Sequence, residues 1–438
     1  MSKPTLVVSC PIDTYSGYGA RSRDFVQSII DLDKYDVKIL SQRWGNTRFG
    51  YLKDHNNDEL GSRTVQQLTQ QPDIWVQITV PNEFQKVGKY NIGVTAGIET
   101  TLCDGSWIEG CNNMDLVLVS SEHAKKVFEE SKFTRQDKNK QVIGEVSLKT
   151  KVEVLFEGAD INKYTPLALP VKLDLDDIDE QFCFLTVGHW LPGMVGEDRK
   201  NIGYTVKTFL ETFKNKPKGK KPALILKVQA GSGTSIMDRE ALLDKIDGIR
   251  KTVKGDLPNI YVIHGEMSDA EVNELYNHGR VKAMISLTKG EGFGRPLLEF
   301  SLVNKPIIAS AWSGHVDFLD KDFVKYVGGR LTPVHPSAAV DKVLLRESMW
   351  FSVDPVEVGR AYKDVYENYE KWKTLAKRQG HKSRTQFSYE SMRETLDNIL
   401  TQSIPEFPKK VELRLPQLKK VEVPQLKKIE LPKLQKIQ

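Results

Sequence analysis

The sequence predicts an α/β protein made of two Rossmann-like domains, on three observations. Short apolar runs of strand type alternate with helical or irregular links along most of the chain, the order of a parallel sheet. A proline-bearing acidic stretch, Leu167 to Gln181, splits that alternation into two halves. The segment TKGEGFGRPLLEFSLVNKPIIAS, Thr288 to Ser310, reads as strand end, glycine turn, helix and strand. With 438 residues, 39% of them hydrophobic and 28% charged, the chain has a globular composition and length enough for two cores.

In chain order, Thr5–Cys10 is a buried-type strand running into PIDTYSGYGARSRDFVQSII, a loop that opens an amphipathic helix. Gly17 and Gly19 suit either close backbone approach to a ligand or a plain tight turn, and Arg21 and Arg23 fall in the helix's first turn. Tyr35–Leu40, Asp73–Thr79, Asn91–Thr95 and Asp115–Val119 continue as strands. Ser120 or Ser121 caps the next helix, and His123 near its start is expected on the surface. Lys151–Phe156 is one more strand. In the linker, Asp174-Leu175-Asp176 imitates a metal-binding pair but lacks a strand to present it, so it reads as solvated.

The second half repeats the pattern with Phe182–Val187, Ala223–Gln229, Ile260–Ile263 and Val281–Leu287. His189 follows the first of these strands, and Arg199-Lys200-Asn201 precedes a helix. Arg199 can fork two N–H groups onto phosphate oxygens, and Lys200 adds a point charge. His264-Gly265 follows Ile263, and Ser268 with Glu271 makes a capping box. Gly292 and Gly294 bare backbone N–H groups at a helix start, where the helix partial charge favours an anion. Glu291 and Glu299 flank that turn so that both can face one pocket while reaching different parts of one ligand. Helices are expected from Pro355 to Gln379 and from Tyr389 to Gln402.

Glu291-Gly292-Phe293-Gly294 with Glu299 resembles the EGFG signature of glycosyltransferase family 4, retaining enzymes of GT-B fold. Gly97–Phe128 resembles a recurring block of the same family, and Gly158, Asp160, Tyr164 and Pro166 its turn closing the first domain. The resemblance covers roughly residues 5 to 400. It implies two domains facing across a cleft: an acceptor domain over 1–166, a linker over 167–181 and a nucleotide-sugar donor domain over 182–385. Residues 386–404 would be a helix returning to the first domain, and 405–438 an extended repetitive tail.

The same resemblance implies roles. Glu291 would touch the donor sugar, with Arg199 and Lys200 as catalytic cations on the diphosphate. The amides of Gly292, Phe293 and Gly294 would face that diphosphate, and Glu299 would hold the ribose hydroxyls. His264 and Gly265 lie in the loop that brackets the base, Gly19 in the glycine loop abutting the phosphates, and Glu99 where acceptor or donor sugar is contacted. His189 stands where many relatives carry arginine, which leaves its diphosphate contact open. Bracketing by backbone names no base, so UDP, GDP and ADP donors all stay open. The implied reaction moves a sugar with retention, needs no metal or other cofactor, and uses the nucleotide diphosphate sugar as co-substrate. The acceptor could be a glycan, a protein or modified DNA.

Residues 405–438 hold nine Lys/Arg and four Asp/Glu, so the whole net charge of +5 lies in the tail and the body is formally neutral. A body that grips duplex nucleic acid is usually more basic. A DNA base glycosyltransferase of GT-B fold nevertheless remains one alternative, and a catalytically inactive sugar-binding or assembly protein another. The tail repeats Pro-x-Leu-Lys-Lys-Val/Ile-Glu, and its prolines forbid a helix. It fits a strand paired with a sheet edge or an acidic protein partner, or a free appendage. Cys10, Cys103, Cys111 and Cys183 lack zinc-type spacing and read as buried thiols. No apolar run approaches a transmembrane segment, and Met1–Pro4 leads into a strand rather than a signal peptide, which predicts a cytoplasmic protein.

Overall fold

The computed structural model describes residues 3–137, 139, 141–230 and 235–407. The first lobe begins with β1 (Thr5–Cys10), α1 (Gly17–Asp31), β2 (Asp36–Ser41), the short helices α2 (Tyr51–Asp54) and α3 (Asp58–Ser62), and β3 (Thr64–Val65). It continues through β4 (Ile74–Ile78), β5 (Tyr90–Thr95), α4 (Gly105–Asn112), β6 (Leu116–Val119) and α5 (Glu122–Glu130). An antiparallel hairpin, β7 (Phe133–Gln136) and β8 (Val142–Val146), precedes β9 (Val152–Val154). The sheet order is β3-β2-β1-β4-β5-β6-β9, parallel throughout. Such strands are apolar end to end, as all four residues of β6 are, because both sheet faces are covered.

The second lobe runs β10 (Cys183–His189), α6 (Ile202–Phe213), β11 (Ala223–Gln229), α7 (Ile236–Thr252), β12 (Ile260–Ile263) and α8 (Asp269–Asn277). Then come β13 (Val281–Ser286), α9 (Arg295–Ser301), β14 (Ile307–Ser310), β15 (Lys325–Val327) and a hairpin of β16 (Gly329–Pro333) with β17 (Met349–Val353). Its sheet order is β12-β11-β10-β13-β14-β15, again parallel. Helix α6 buries Val206, Phe209, Leu210 and Phe213 at helical spacing in the core under β10 and β11, each side chain contributing roughly 1.5–3 kcal/mol. In both sheets the order reverses beside the first strand, at β1/β4 and β10/β13, the points where open α/β sheets take ligands at their carboxyl ends.

Among the described residues three helices come last: α10 (Pro355–Glu367), α11 (Tyr369–Gln386) and α12 (Tyr389–Ser403). The single helix expected from Pro355 to Gln379 is thus two. Asn368 leaves the helical region at φ −111°, ψ 37°, and its side chain bonds back to Asp364 at 2.9 Å. Helix α12 returns to the first lobe, where Met392, Leu396 and Leu400 join the core of Leu6 and Val8. The two chain crossings between lobes are bonded to each other: the Ala159 amide donates to Phe387 O at 3.0 Å and the Tyr389 amide to Ala159 O at 2.9 Å. All four cysteines are free and buried, and Asp174 and Asp176 are exposed. Among the described residues no helix is long and apolar enough to cross a membrane. The repetitive tail expected after Phe407 lies outside the described residues.

Candidate functional site

After β13 the chain turns through Thr288–Gly294 into α9, and this turn meets the first lobe backbone to backbone. A Cβ on Gly290 would overlap the carbonyl of Glu99, and one on Gly292 that of Ala96, so only glycine fits at either place. Ser120 and Ser121 donate their hydroxyls to Gly292 O at 3.1 and 2.6 Å, while Ser121 also caps α5 by accepting from the Ala124 amide. From the other side the Glu291 amide donates to Ser313 Oγ at 2.9 Å, and the Gly314 amide to Glu291 O at 2.9 Å. Gly294 caps α9 in the left-handed region at φ 100°. Helix α9 has seven residues, about two turns, so the partial charge expected at its start is modest. The positive charge at the turn comes from side chains instead.

Those side chains are Arg199 and Lys200. Lys200 Nζ lies 2.6 and 2.8 Å from the two carboxylate oxygens of Glu291. One Arg199 nitrogen donates to Gly290 O at 2.8 Å and stands 3.4 Å from Glu291; another stands 3.3 Å from Glu99 of the first lobe. Glu99, Arg199, Glu291 and Lys200 therefore form one chain of alternating charge across the seam. Burial alone would raise the Glu291 carboxyl, yet the two cations hold it at about 2. Burial disfavours the Arg199 charge as well, and Glu99 and Glu291 outweigh it. Asn201 sets the approach from a left-handed φ of 57°, its amide bonded to Asp198 at 2.7 Å and its side chain to Leu287 O at 3.1 Å.

His123 is half-buried rather than exposed as the sequence suggested. Its ring meets Trp312 edge-on at 4.6 Å, and its Nε2 is buried without a hydrogen-bond partner among the described residues. Burial lowers its pKa to about 4, so the ring is neutral at pH 7. The first turn of α5 would be wet in an isolated lobe, but here the second lobe covers it, the Glu122 amide donating to Asp317 at 2.8 Å.

Glu299 occupies a different setting. On α9 it accepts from Arg295 Nε at 2.8 Å, and Arg295 reaches Asp24 of α1 at 2.5 Å. All three line a cavity of about 430 Å³ between the lobes. A second cavity of about 580 Å³ adjoins it, sharing Tyr51 and Asp269. This one lies under Gly188, Lys227 and Gly265–Ser268, with Tyr15 and Arg48 of the first lobe opposite, and Arg48 bonds Glu266 at 2.6 Å across it. Burial pushes Glu299 up to about 7 against the pull of Arg295.

The expected site residues thus fall into three groups. Glu99, Arg199, Lys200, Glu291 and Gly292 meet at the seam, whereas Glu299 and Gly265 face the cavities. His264, Phe293 and Gly19 are engaged in packing. His264 Nε2 lies 2.8 Å from Asp238, Phe293 packs in the core with its ring tilted 46° to that of Phe318 at 4.9 Å, and the Gly19 amide donates to Ser16 Oγ at 2.9 Å. In the glycine loop the open position is Gly17, with nothing near its missing Cβ. His189, at the end of β10, is half-buried and its pKa is lowered by burial. Sequence reasoning missed Ser313, Asp24 and Arg295 and expected His123 in solvent. Only Arg295 left a signal, its position four residues before Glu299 on one helix face.

No family model and no curated protein matches the chain. Solved structures do. Sucrose-phosphate synthase from Thermosynechococcus elongatus superposes with a TM-score of 0.57 at 12% identity, over 91% of this chain and 98% of that one. A glycosyltransferase from Rickettsia africae gives 0.56 at 12% identity, over 92% and 99%. Anabaena HepE in complex with UDP-glucose gives 0.54 at 12% identity, over 91% and 100%. At such identities the likeness establishes the fold, and that fold is GT-B.

Proposed function

We propose that this protein is a metal-independent, retaining glycosyltransferase that moves a sugar from a nucleotide diphosphate sugar to an acceptor of undetermined class. The observation that carries the reading is the pairing of Glu291 with Lys200 and Arg199 beside a glycine turn at the seam of a GT-B fold. Two cations on one carboxylate form a ready anion site. A diphosphate takes over those charge-assisted hydrogen bonds and releases Glu291 toward the donor sugar. Because Gly290 and Gly292 touch the first lobe directly, the lobes part to admit the sugar and close again on it.

Arg199 and Lys200 then stabilise the charge that grows on the leaving diphosphate, assisted by the backbone of Gly292, Phe293 and Gly294. That diphosphate also accepts the acceptor's proton, so no separate base is assigned. Glu99 contacts the acceptor from the first lobe, and Glu299 the ribose. The loop of His264 and Gly265 brackets the base by its backbone, while His189 and the Gly17–Gly19 loop border the phosphates. The HepE complex makes UDP-glucose the first donor to try.

The test is a panel of UDP-, GDP- and ADP-sugars scored for slow hydrolysis and for a rise in melting temperature. At least one donor is expected to do both. Glu291→Ala should abolish turnover while keeping the thermal shift. A panel in which no donor stabilises the protein would overturn the reading, as would full turnover by Glu291→Ala.

A further inference from the structure

We propose that Arg295 is a positioning residue for the nucleoside end of the donor, gripping Glu299 and the first lobe's Asp24 at once so that ribose capture and lobe closure become one event. The proposal rests on the nucleotide reading above and deepens it. A carboxylate binds a vicinal diol well only when it is ionised and its oxygens are correctly aimed. Glu299 sits where burial works against ionisation, and Arg295 is the nearest counter-charge, at 2.8 Å. The same guanidinium spends another nitrogen on Asp24, at 2.5 Å, and that carboxylate belongs to the other lobe. One side chain therefore aims the diol acceptor and ties it to closure.

The surroundings are specific enough to predict directions. Besides Asp24, the carboxylates around the cavity are Asp160 and Asp269, and Glu157 stands behind Arg295. The cations are Arg23 of α1 and Lys163 of the first crossing. Four phenols, Tyr51, Tyr164, Tyr276 and Tyr389, approach from α2, the crossing, α8 and α12. Negative neighbours, Asp24 and Asp269 among them, push Glu299 toward its protonated form, and Arg295 opposes them. Removing Arg295 should make Glu299 harder to ionise, whereas neutralising Asp24 should make it easier.

The experiment is calorimetric titration of UDP, GDP and ADP into the full chain between pH 5.5 and 9, for wild type, Arg295→Met, Arg295→Lys and Asp24→Asn. The nucleotide's own phosphate titration is common to all four proteins and cancels between them. Wild-type affinity should rise with pH as Glu299 ionises. Arg295→Met should move that rise upward by about one pH unit, a loss of about fivefold at pH 7 that approaches about tenfold at pH 5.5 and shrinks at pH 9. Asp24→Asn should move it downward, and Arg295→Lys should lie near wild type. Opposite displacements are the signature, since a purely structural role lowers affinity equally at every pH. Equal losses across the pH range, or unmoved profiles in both Arg295→Met and Asp24→Asn, would overturn the proposal while leaving nucleotide binding intact. If wild type binds none of the three diphosphates, the nucleotide reading falls and this proposal with it.

Discussion

Glu291 and Glu299 belong to one short stretch of chain, yet burial leads them to opposite states. Glu291 lies against two cations in a seam already filled by protein, and its carboxyl is held at about 2. Glu299 has one cation, several acidic neighbours and a cavity of about 430 Å³ before it, and its carboxyl rises to about 7. The same residue type with similar exposure becomes a fixed anion in one place and a titrating acid in the other. Counter-charge, rather than depth, decides between them. In the proposed reaction the nucleoside end of the donor meets a preformed space, while the sugar end meets a site that opens for it.

The largest expected effect separates the two regions directly. Gly292→Ala places a methyl against the Ala96 carbonyl, and overpacking of that kind costs about 1–3 kcal/mol, or about five- to more than a hundredfold in turnover. Nucleoside diphosphate affinity should fall as well, though by less than turnover, because Arg295 ties ribose capture to the same closure. An unchanged affinity would show that seam and cavities act separately. Next comes the pH dependence of stability. Glu291, with its pKa depressed, contributes stability that is present above about pH 4.5 and lost as pH falls through about 2. Glu299, with its pKa raised, contributes stability that is full below about pH 4.5 and lost as pH rises through about 7. Each spans about 3 kcal/mol. Urea denaturation of Glu291→Gln and Glu299→Gln should flatten opposite limbs of the curve, and flattening on the same limb would contradict the assignment. The smallest effect is Ser313→Ala, which removes the hydroxyl accepting from the Glu291 amide and should cost about 1 kcal/mol in the same assay.

What was legible in the sequence was local. Most strands of the two sheets announced themselves as apolar runs, the short β3 and β15 excepted, and the glycines of the Thr288–Ser310 stretch marked a turn that proves to be sterically obligatory at Gly292. That Glu291, Arg199 and Lys200 would share one site was legible only through the family resemblance, which brings two segments far apart in sequence to one diphosphate. What was hidden depends on the opposite lobe. His123 looked like a surface residue because nothing in Glu122–Glu130 says that Trp312 will cover it. Gly19 looked like a ligand contact because sequence does not show that Ser16 and Thr14 already occupy its amide and its missing side chain. Glu99 reaches Arg199 from a hundred residues away, a proximity that no helical or strand period encodes.

The bonded crossings at Ala159 and Phe387–Tyr389 have a mechanical corollary. A hinge made of a single strand would let one lobe swivel freely about the other, but two strands stapled together act as a door hinge with one axle. Motion about that axle is smallest at Ala159 and grows with distance from it, so a modest rotation at the staple separates the cross-lobe contacts of the glycine turn, Gly292 against Ala96 among them, without either crossing coming apart.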